Sequence, residues 1–288
     1  MSVSKFIFHF WIYLGIVWSL TSCNSISNTI PIPTETNLPT SVPTVSTPKT
    51  TNIKNDTGWI LLPSNIEKRQ IDIYDEQSQL VENLHIFRIN QELFKLDVSY
   101  HETPQTLEDW LAENKAALVV NGGYFRIEGE KYIPDGLIIA NGELFGNSYG
   151  DFAGMLSINK DGANLRWLTD KPYTPGEKLL AAVQSFPVLV KPNGQLGFTK
   201  EHEDHLKARR TVIGQDMSGN ILFIIAPKGY FTLHQLALYL TESDLNLDIA
   251  VNLDGGPSSG IVLKNAPQES IPAETPLPIV ILVYSQKE

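Results

Sequence analysis

The chain has 288 residues, with 22 basic and 32 acidic side chains, a formal net charge of −10 and a single cysteine. Almost all of this charge lies beyond residue 57, and an acidic domain argues against a nucleic-acid partner, which requires a basic face. One cysteine leaves no intramolecular disulfide to propose, so the fold must rest on its core.

The first 23 residues read as an address. Lys5 is the only charged residue before Cys23, and Phe6 to Leu20 is almost wholly apolar. Such a run fits the apolar region of a secretory leader and is short for a membrane span, which needs about 20 residues. It ends in Leu20-Thr21-Ser22-Cys23, which resembles a bacterial lipobox. Residues 1–23 are therefore expected to be a lipoprotein signal peptide. Cys23 would be the lipidated residue, tying the chain to a bacterial membrane on its extracytoplasmic side. Residues 24–57 are rich in Thr, Ser, Pro and Asn. Pro31, Pro33, Pro39, Pro43 and Pro48 oppose regular helix or sheet. Too little apolar surface is present to offset the entropy of ordering, so this stretch reads as a disordered tether. Residues 58–288 form one domain, long enough for a sizeable core.

Most of that domain reads as short strands. Ile71–Tyr74, Leu84–Ile89 and Phe94–Val98 show mixed alternation between turn-forming residues. Ala117–Val120, Gly136–Ile139 and Ile221–Ile225 are unbroken apolar runs, as in strands buried on both faces. Asn141-Gly142, Asp161-Gly162 and Asn193-Gly194 are hairpin signals, because Asn or Asp before Gly tolerates positive φ. Two helices are expected. One begins at Thr103-Pro104 and carries Leu107, Trp110 and Leu111. The other begins at Thr232, with Gln235 completing a capping box and Leu233, Leu236, Ala237 and Leu240 on one face. The fold class is α+β: a large mixed, mostly antiparallel sheet flanked by a few helices in a single domain.

Three stretches carry chemistry. In Asn121-Gly122-Gly123-Tyr124-Phe125 a buried strand stops at two glycines, where backbone can lie against a ligand. Asn121 offers both an amide donor and an acceptor. In Asn252-Leu253-Asp254-Gly255-Gly256-Pro257-Ser258, alternation places Asn252 and Asp254 on one face at a strand end, with Leu253 on the other. Asp254 then meets a glycine turn whose N–H groups could bind oxygens. In Arg209-Arg210-Thr211 an arginine heads an apolar strand, and its fork of donors suits phosphate oxygens. Two other patterns are set aside. Gly256-Pro257-Ser258-Ser259-Gly260 matches a nucleophile elbow, but no histidine follows Ser258 and the next residues read as strand. The pair His202 and His205 has i, i+3 spacing in a charged run, which fits a solvated loop better than a metal site.

Taken together, these stretches resemble the phosphodiester glycosidase family. The resemblance runs from Leu93 to Tyr284. It includes Asn121–Phe125, Pro134-Asp135-Gly136-Leu137 with the Asn141-Gly142 turn, Ala182-Val183-Gln184-Ser185-Phe186-Pro187-Val188-Leu189, Arg210–Gly214 and Asn252–Gly256 before Ser258-Ser259. It departs from the family at Pro257, where a third glycine is common, and at Arg209, where proline is frequent. The resemblance implies hydrolysis of a sugar-1-phosphate diester in envelope or exopolysaccharide glycans, giving free sugar and a phosphate monoester. Asp254, Arg210 and Asn121 would be catalytic. Arg210 with turn N–H groups would stabilise phosphate charge, and Asp254 would orient or deprotonate water or act as nucleophile. Gly122, Gly123, Tyr124, Asp135, Gln184, Asn252, Gly255, Gly256 and Ser258 would bind substrate. No cofactor is required, and a divalent cation is left open. The alternatives are a non-catalytic glycan-binding lipoprotein that keeps the pocket, and a structural envelope protein whose glycine turns are only tight corners.

Overall fold

The computed structural model describes residues 53–286. The leader, Cys23 and most of the tether lie outside the described residues. Within them, the strands form four sheets, and every strand pairing is antiparallel. None of the described helices is long and apolar enough to cross a membrane.

The largest sheet has nine strands. Its centre runs Leu80–Ile89, Ile221–Ala226, Arg210–Asp216, Leu247–Asn252 and Val188–Lys191. A four-stranded sheet runs Ile261–Leu263, Leu118–Asn121, Leu277–Ser285 and Phe94–Gln105. A five-stranded sheet contains Ile138–Ala140, Ala181–Ser185 and Gly154–Asn159. The inner faces of these three sheets share one core, with Phe87, Phe223, Ile213 and Val251 from the first, Val120 and Ile281 from the second, and Leu156 and Val183 from the third. The outer face of the large sheet is covered by the helix Leu233–Glu242, through Leu236, Ala237 and Leu240. The outer face of the four-stranded sheet is covered by the helix Leu107–Asn114, through Leu107 and Trp110. This double coverage explains the unbroken apolar runs: Leu118–Asn121, Ile138–Ala140 and Ile221–Ala226 are buried throughout.

Local signals act as their chemistry requires. Asn141 and Gly142 both adopt positive φ, as do Asn193 and Gly194, and Gly162 turns the third hairpin at φ 130°. Thr232 and Gln235 make the full capping box. The first helix begins later than Thr103-Pro104 suggests. Its N-cap is Thr106, whose hydroxyl accepts from the Asp109 N–H at 3.1 Å. Thr103 and Pro104 instead end the strand Phe94–Gln105. That strand is at a sheet edge, beside a register shift, and proline is tolerated there because its missing N–H breaks no ladder bond. The domain also starts before Gly58. Ile53–Asp56 pairs with Glu67–Tyr74, and the Asp56 carboxylate is held by Arg69, which also binds Asp244. A buried arginine with two carboxylates draws this last part of the expected tether onto the sheet.

Candidate active site

Antiparallel pairing brings the two glycine turns and the arginine to one end of the core. The strand Leu118–Asn121 and the strand Leu247–Asn252 both stop there, and Arg210–Asp216 starts there, with Val212 opposite Asn252. Ala181–Ser185 ends nearby, since the Phe186 carbonyl accepts from Asn252 Nδ2 at 3.2 Å.

Asn121 joins the two turns. It is fully buried. Its Nδ2 donates to the Asp254 carbonyl at 2.8 Å, and its Oδ1 accepts from Thr211 Oγ1 at 2.7 Å and Gly260 N at 3.1 Å. The Asp254 N–H in turn donates to the Gly122 carbonyl at 3.1 Å. Asn121 therefore faces the protein, not solvent, and fixes the backbone that carries Asp254. Its expected direct contact with substrate is not supported by this geometry. Asn121→Ala should leave several buried groups without partners, at a cost of at least about 2 kcal/mol. Denaturant unfolding measures it; wild-type stability would refute the clamp.

The turn residues divide in the same way. The Gly255 N–H donates to Asp254 Oδ1 at 2.9 Å, and the Gly256 N–H to the Arg209 carbonyl at 2.8 Å. These two donors are thus spent on the turn and not offered to an anion. The N–H groups of Gly123 and Tyr124, by contrast, meet no acceptor among the described residues. Both glycines of the first turn are required by close packing. A methyl group on Gly122 would lie 2.6 Å from Ile279 Cγ2, and one on Gly123 would lie 2.7 Å from the Gln184 carbonyl. Pro257 is exposed, in the short 3-10 turn Gly256–Ser258, where a proline near the start is compatible with the geometry.

Asp254 is half-buried and Ser258 is buried beneath it. Burial raises the Asp254 pKa above the ordinary aspartate value; hydrogen bonds from Ser258 and Gly255 oppose this, and the nearby Asp135 charge adds to it. Asp135 is positioned by its N–H to the Tyr124 carbonyl at 3.0 Å and receives Arg126 Nη1 at 3.1 Å. Tyr124 lies over the site. Its hydroxyl accepts from Asn252 Nδ2 at 2.7 Å, and burial, with Asp254 nearby, pushes its pKa up to about 12, so it stays a neutral phenol.

Arg210 is 7% exposed and pairs with no carboxylate among the described residues. Its Nη2 donates to the Leu206 carbonyl at 2.6 Å, and its Nε is buried without a partner. Desolvation pulls its pKa below the usual arginine value, yet a guanidinium remains charged at neutral pH. It runs along the second turn, with Nη1 3.8 Å from where a Gly255 methyl would stand. Arg209 has a structural task instead, binding Glu274 and the carbonyls of Ser259 and Pro272. Glu203 and Asp204 act on Arg210 through their charge, opposing its desolvation, but neither makes an ion pair with it. Glu203 is otherwise engaged. It caps the second helix through Thr232 and the His234 N–H.

Further buried atoms beside this centre lack partners: Asn252 Oδ1, Tyr149 Oη, Ser185 Oγ, Ser259 Oγ and Arg209 Nε. Orphaned buried polar atoms are uncommon in native folds, and a ligand is one way to satisfy them. Tyr149 and Phe152 carry no sequence pattern that marks them, and Phe186 stands out only as part of the Gln184–Pro187 run. Phe186 lies 4.8 Å from Tyr124, 4.9 Å from Tyr149 and 5.6 Å from Phe152, centroid to centroid. Gln184, expected to bind substrate, is buried and holds this wall in place: its Oε1 accepts the Tyr149 N–H at 3.0 Å and its Nε2 donates to Ser148 Oγ at 3.0 Å. Among the described residues no group of His, Cys, Asp and Glu has the arrangement of a metal site.

Residues 114–284 match the phosphodiester glycosidase family profile. No curated protein matches the chain. Among solved structures, the fold is similar to the catalytic domain of zebrafish N-acetylglucosamine-1-phosphodiester alpha-N-acetylglucosaminidase, auto-inhibited by its pro-peptide. The identity is 21% over 76% of this chain and 82% of that one, with a TM-score of 0.58. It is also similar to a Burkholderia pseudomallei protein named for its predicted export, at 13% identity over 70% of this chain and 74% of that one, with a TM-score of 0.52. At these identities the likeness establishes the fold.

Proposed function

Since the chain belongs to the phosphodiester glycosidase family, we propose that it is a hydrolase that cleaves the bond between an anomeric carbon and the phosphate oxygen of a sugar-1-phosphate diester. Water adds its oxygen to the anomeric carbon, and the other products are one proton and a phosphate monoester. The observation that supports this best is a half-buried carboxylate on a turn and a buried cation running along that turn, which are not paired with each other. Among the described residues neither Arg210 nor Asp254 makes an ion pair. The reaction supplies an opposite charge to each, because negative charge grows on the departing phosphate as positive charge grows at the anomeric carbon.

In this reading Arg210 meets the phosphate, helped by the Gly123 and Tyr124 N–H groups. Asp254 orients and deprotonates water or attacks the anomeric carbon itself, and burial makes it a stronger base than a solvated aspartate. A phosphate monoester is a weakly basic leaving group, so a strong general acid is not required. Asn252 Oδ1 and Tyr149 Oη are placed to accept from and donate to sugar hydroxyls. Asn121, Gln184 and Ser258 position the groups that touch substrate. The proposal includes export and lipid attachment at Cys23, resting on the apolar run and the residues before the cysteine, with envelope or exopolysaccharide phosphodiesters as substrates. Incubating the purified protein with an α-N-acetylglucosamine-1-phosphodiester should yield free sugar and phosphate monoester in equal amounts. Binding without release would favour the non-catalytic glycan binder, and neither binding nor release would sink both.

A further inference from the structure

A lone exposed aromatic residue needs no explanation, but Phe152 is not alone. It is 53% exposed. Its ring leans on Tyr149 at 5.9 Å and on Phe186 at 5.6 Å, and Phe186 in turn touches Tyr124. The result is a continuous aromatic shelf that starts at the reaction centre and ends in solvent. It is firmly held. Gln184 binds both the Tyr149 N–H and Ser148 Oγ, and Gly136 gives the Tyr149 ring its seat, since a methyl group there would lie 2.4 Å from Cε2. The Tyr149 hydroxyl is buried yet meets no protein partner, whereas a buried tyrosine hydroxyl usually finds one.

The direction of the shelf matters. Arg210 runs along the Gly255 turn beside Asp254, and Asn252 Nδ2 ties the Tyr124 hydroxyl to the Phe186 carbonyl. Phe186 then leads to Tyr149, whose ring seats on Gly136 beside Asp135, and the cation at that end is Arg126, already held by Asp135 and Glu128. The sequence across the site is therefore Arg210, then Tyr124 with Asp254, then Tyr149 with Asp135, then Phe152. With phosphate on Arg210 and the reacting sugar at Asp254, the shelf lies on the far side of that sugar from the phosphate. Pyranose rings present apolar C–H faces, which suit the electron-rich faces of aromatic rings.

Resting on the reaction proposed above, we infer that Phe152, Tyr149 and Phe186 form a second sugar subsite, and that the preferred substrate carries at least two sugar units on the glycone side of the scissile bond. Phe152 stacks on the outer unit, and the Tyr149 hydroxyl donates to an oxygen between the two. The enzyme then releases an oligosaccharide, not only a monosaccharide.

The test compares kcat/KM for the methyl phosphodiesters of α-N-acetylglucosamine and of α-di-N-acetylchitobiose, in the wild type and in Phe152→Ala. The disaccharide should be preferred about tenfold in the wild type. Phe152→Ala should erase that preference and leave the monosaccharide within about twofold, a loss of the size expected on truncating a well-packed aromatic contact. Equal rates for the two diesters in the wild type, or equal losses for both in Phe152→Ala, overturn the subsite. A preference for a larger group on the phosphate side, lost in Phe152→Ala, overturns its direction. If neither diester is cleaved, the reaction is wrong and the subsite is judged by titrating phosphate-free di-N-acetylchitobiose into the wild type and Phe152→Ala by calorimetry. Binding that Phe152→Ala loses sustains it, and absence of binding to the wild type removes it.

Discussion

Asp254→Asn is expected to lower sugar release from a sugar-1-phosphate diester by roughly 100- to 10,000-fold, while leaving the protein folded and no less thermally stable. The two halves of this expectation share one cause. Asp254 is removed from water, and burial raises its pKa more than the Ser258 and Gly255 hydrogen bonds lower it. A carboxyl whose pKa is higher in the folded than in the unfolded state binds its proton more tightly when folded. Folding stability is then greatest when it is protonated and declines as pH rises from the ordinary aspartate value of 3.8 through the raised folded value. At neutral pH the charged group is a net cost, which the neutral amide removes while still accepting from the Gly255 N–H. The wild-type activity profile should show the same shift. A base or nucleophile must be ionised, so the acid limb of kcat/KM should fall at a pH above the ordinary aspartate range. The measurements are release of free sugar against pH and calorimetric melting of both proteins. Turnover of Asp254→Asn within a few-fold of wild type would end the assignment.

The second large effect is expected at Arg210. Arg210→Met keeps the length and apolar stem but removes the charge, and kcat/KM should fall about 100- to 1,000-fold. Stability should stay level or rise, because a buried guanidinium without an anionic partner pays for its desolvation with no ion pair in return. The contrast with Arg69 makes the point within the same domain. Arg69 is similarly enclosed but holds both Asp56 and Asp244. A structural arginine looks like Arg69; Arg210 has the burial without the partners. Inorganic phosphate should therefore raise the melting temperature of the wild type and not of Arg210→Met, since only a ligand bound to the folded state stabilises it. Equal phosphate stabilisation of the two proteins would place the anion elsewhere.

Much of this could be read from sequence, and the reasons differ by feature. The capping box at Thr232 and Gln235, the three Asn/Asp-Gly hairpins and the doubly buried strands are local, so short patterns suffice. The first helix start was obscured because Thr103-Pro104 mimics a cap, and only the pairing of Gln105 with Leu277 shows that the strand continues. At the site, the identities of Asn121, Arg210, Asn252 and Asp254 were legible, but not what each faces. Asn121 and Gln184 look like ligand contacts in sequence, yet each spends its amide on the protein. That depends on Thr211 and Tyr149, which are distant in the chain and carry no pattern of their own. Phe152 sits in a polar loop where no periodicity marks it. Pro257 departs from the family pattern and lies exposed near the start of a 3-10 turn, a place its geometry admits.

The Asn121 amide also has a consequence for when the site comes into being. Its partners Thr211, Asp254 and Gly260 are 90, 133 and 139 residues away along the chain. The strand that holds its own backbone in place, Leu277–Ser285, is the last described strand and lies between Leu118–Asn121 and Phe94–Gln105 in the sheet. Contacts of such separation carry the loop-closure cost before they return any stability, and they form late. While the chain is still being made, the earlier of these strands have no neighbour to zip onto, and Asp254 has no clamp. The centre therefore cannot be complete until Leu277–Ser285 is paired with Leu118–Asn121.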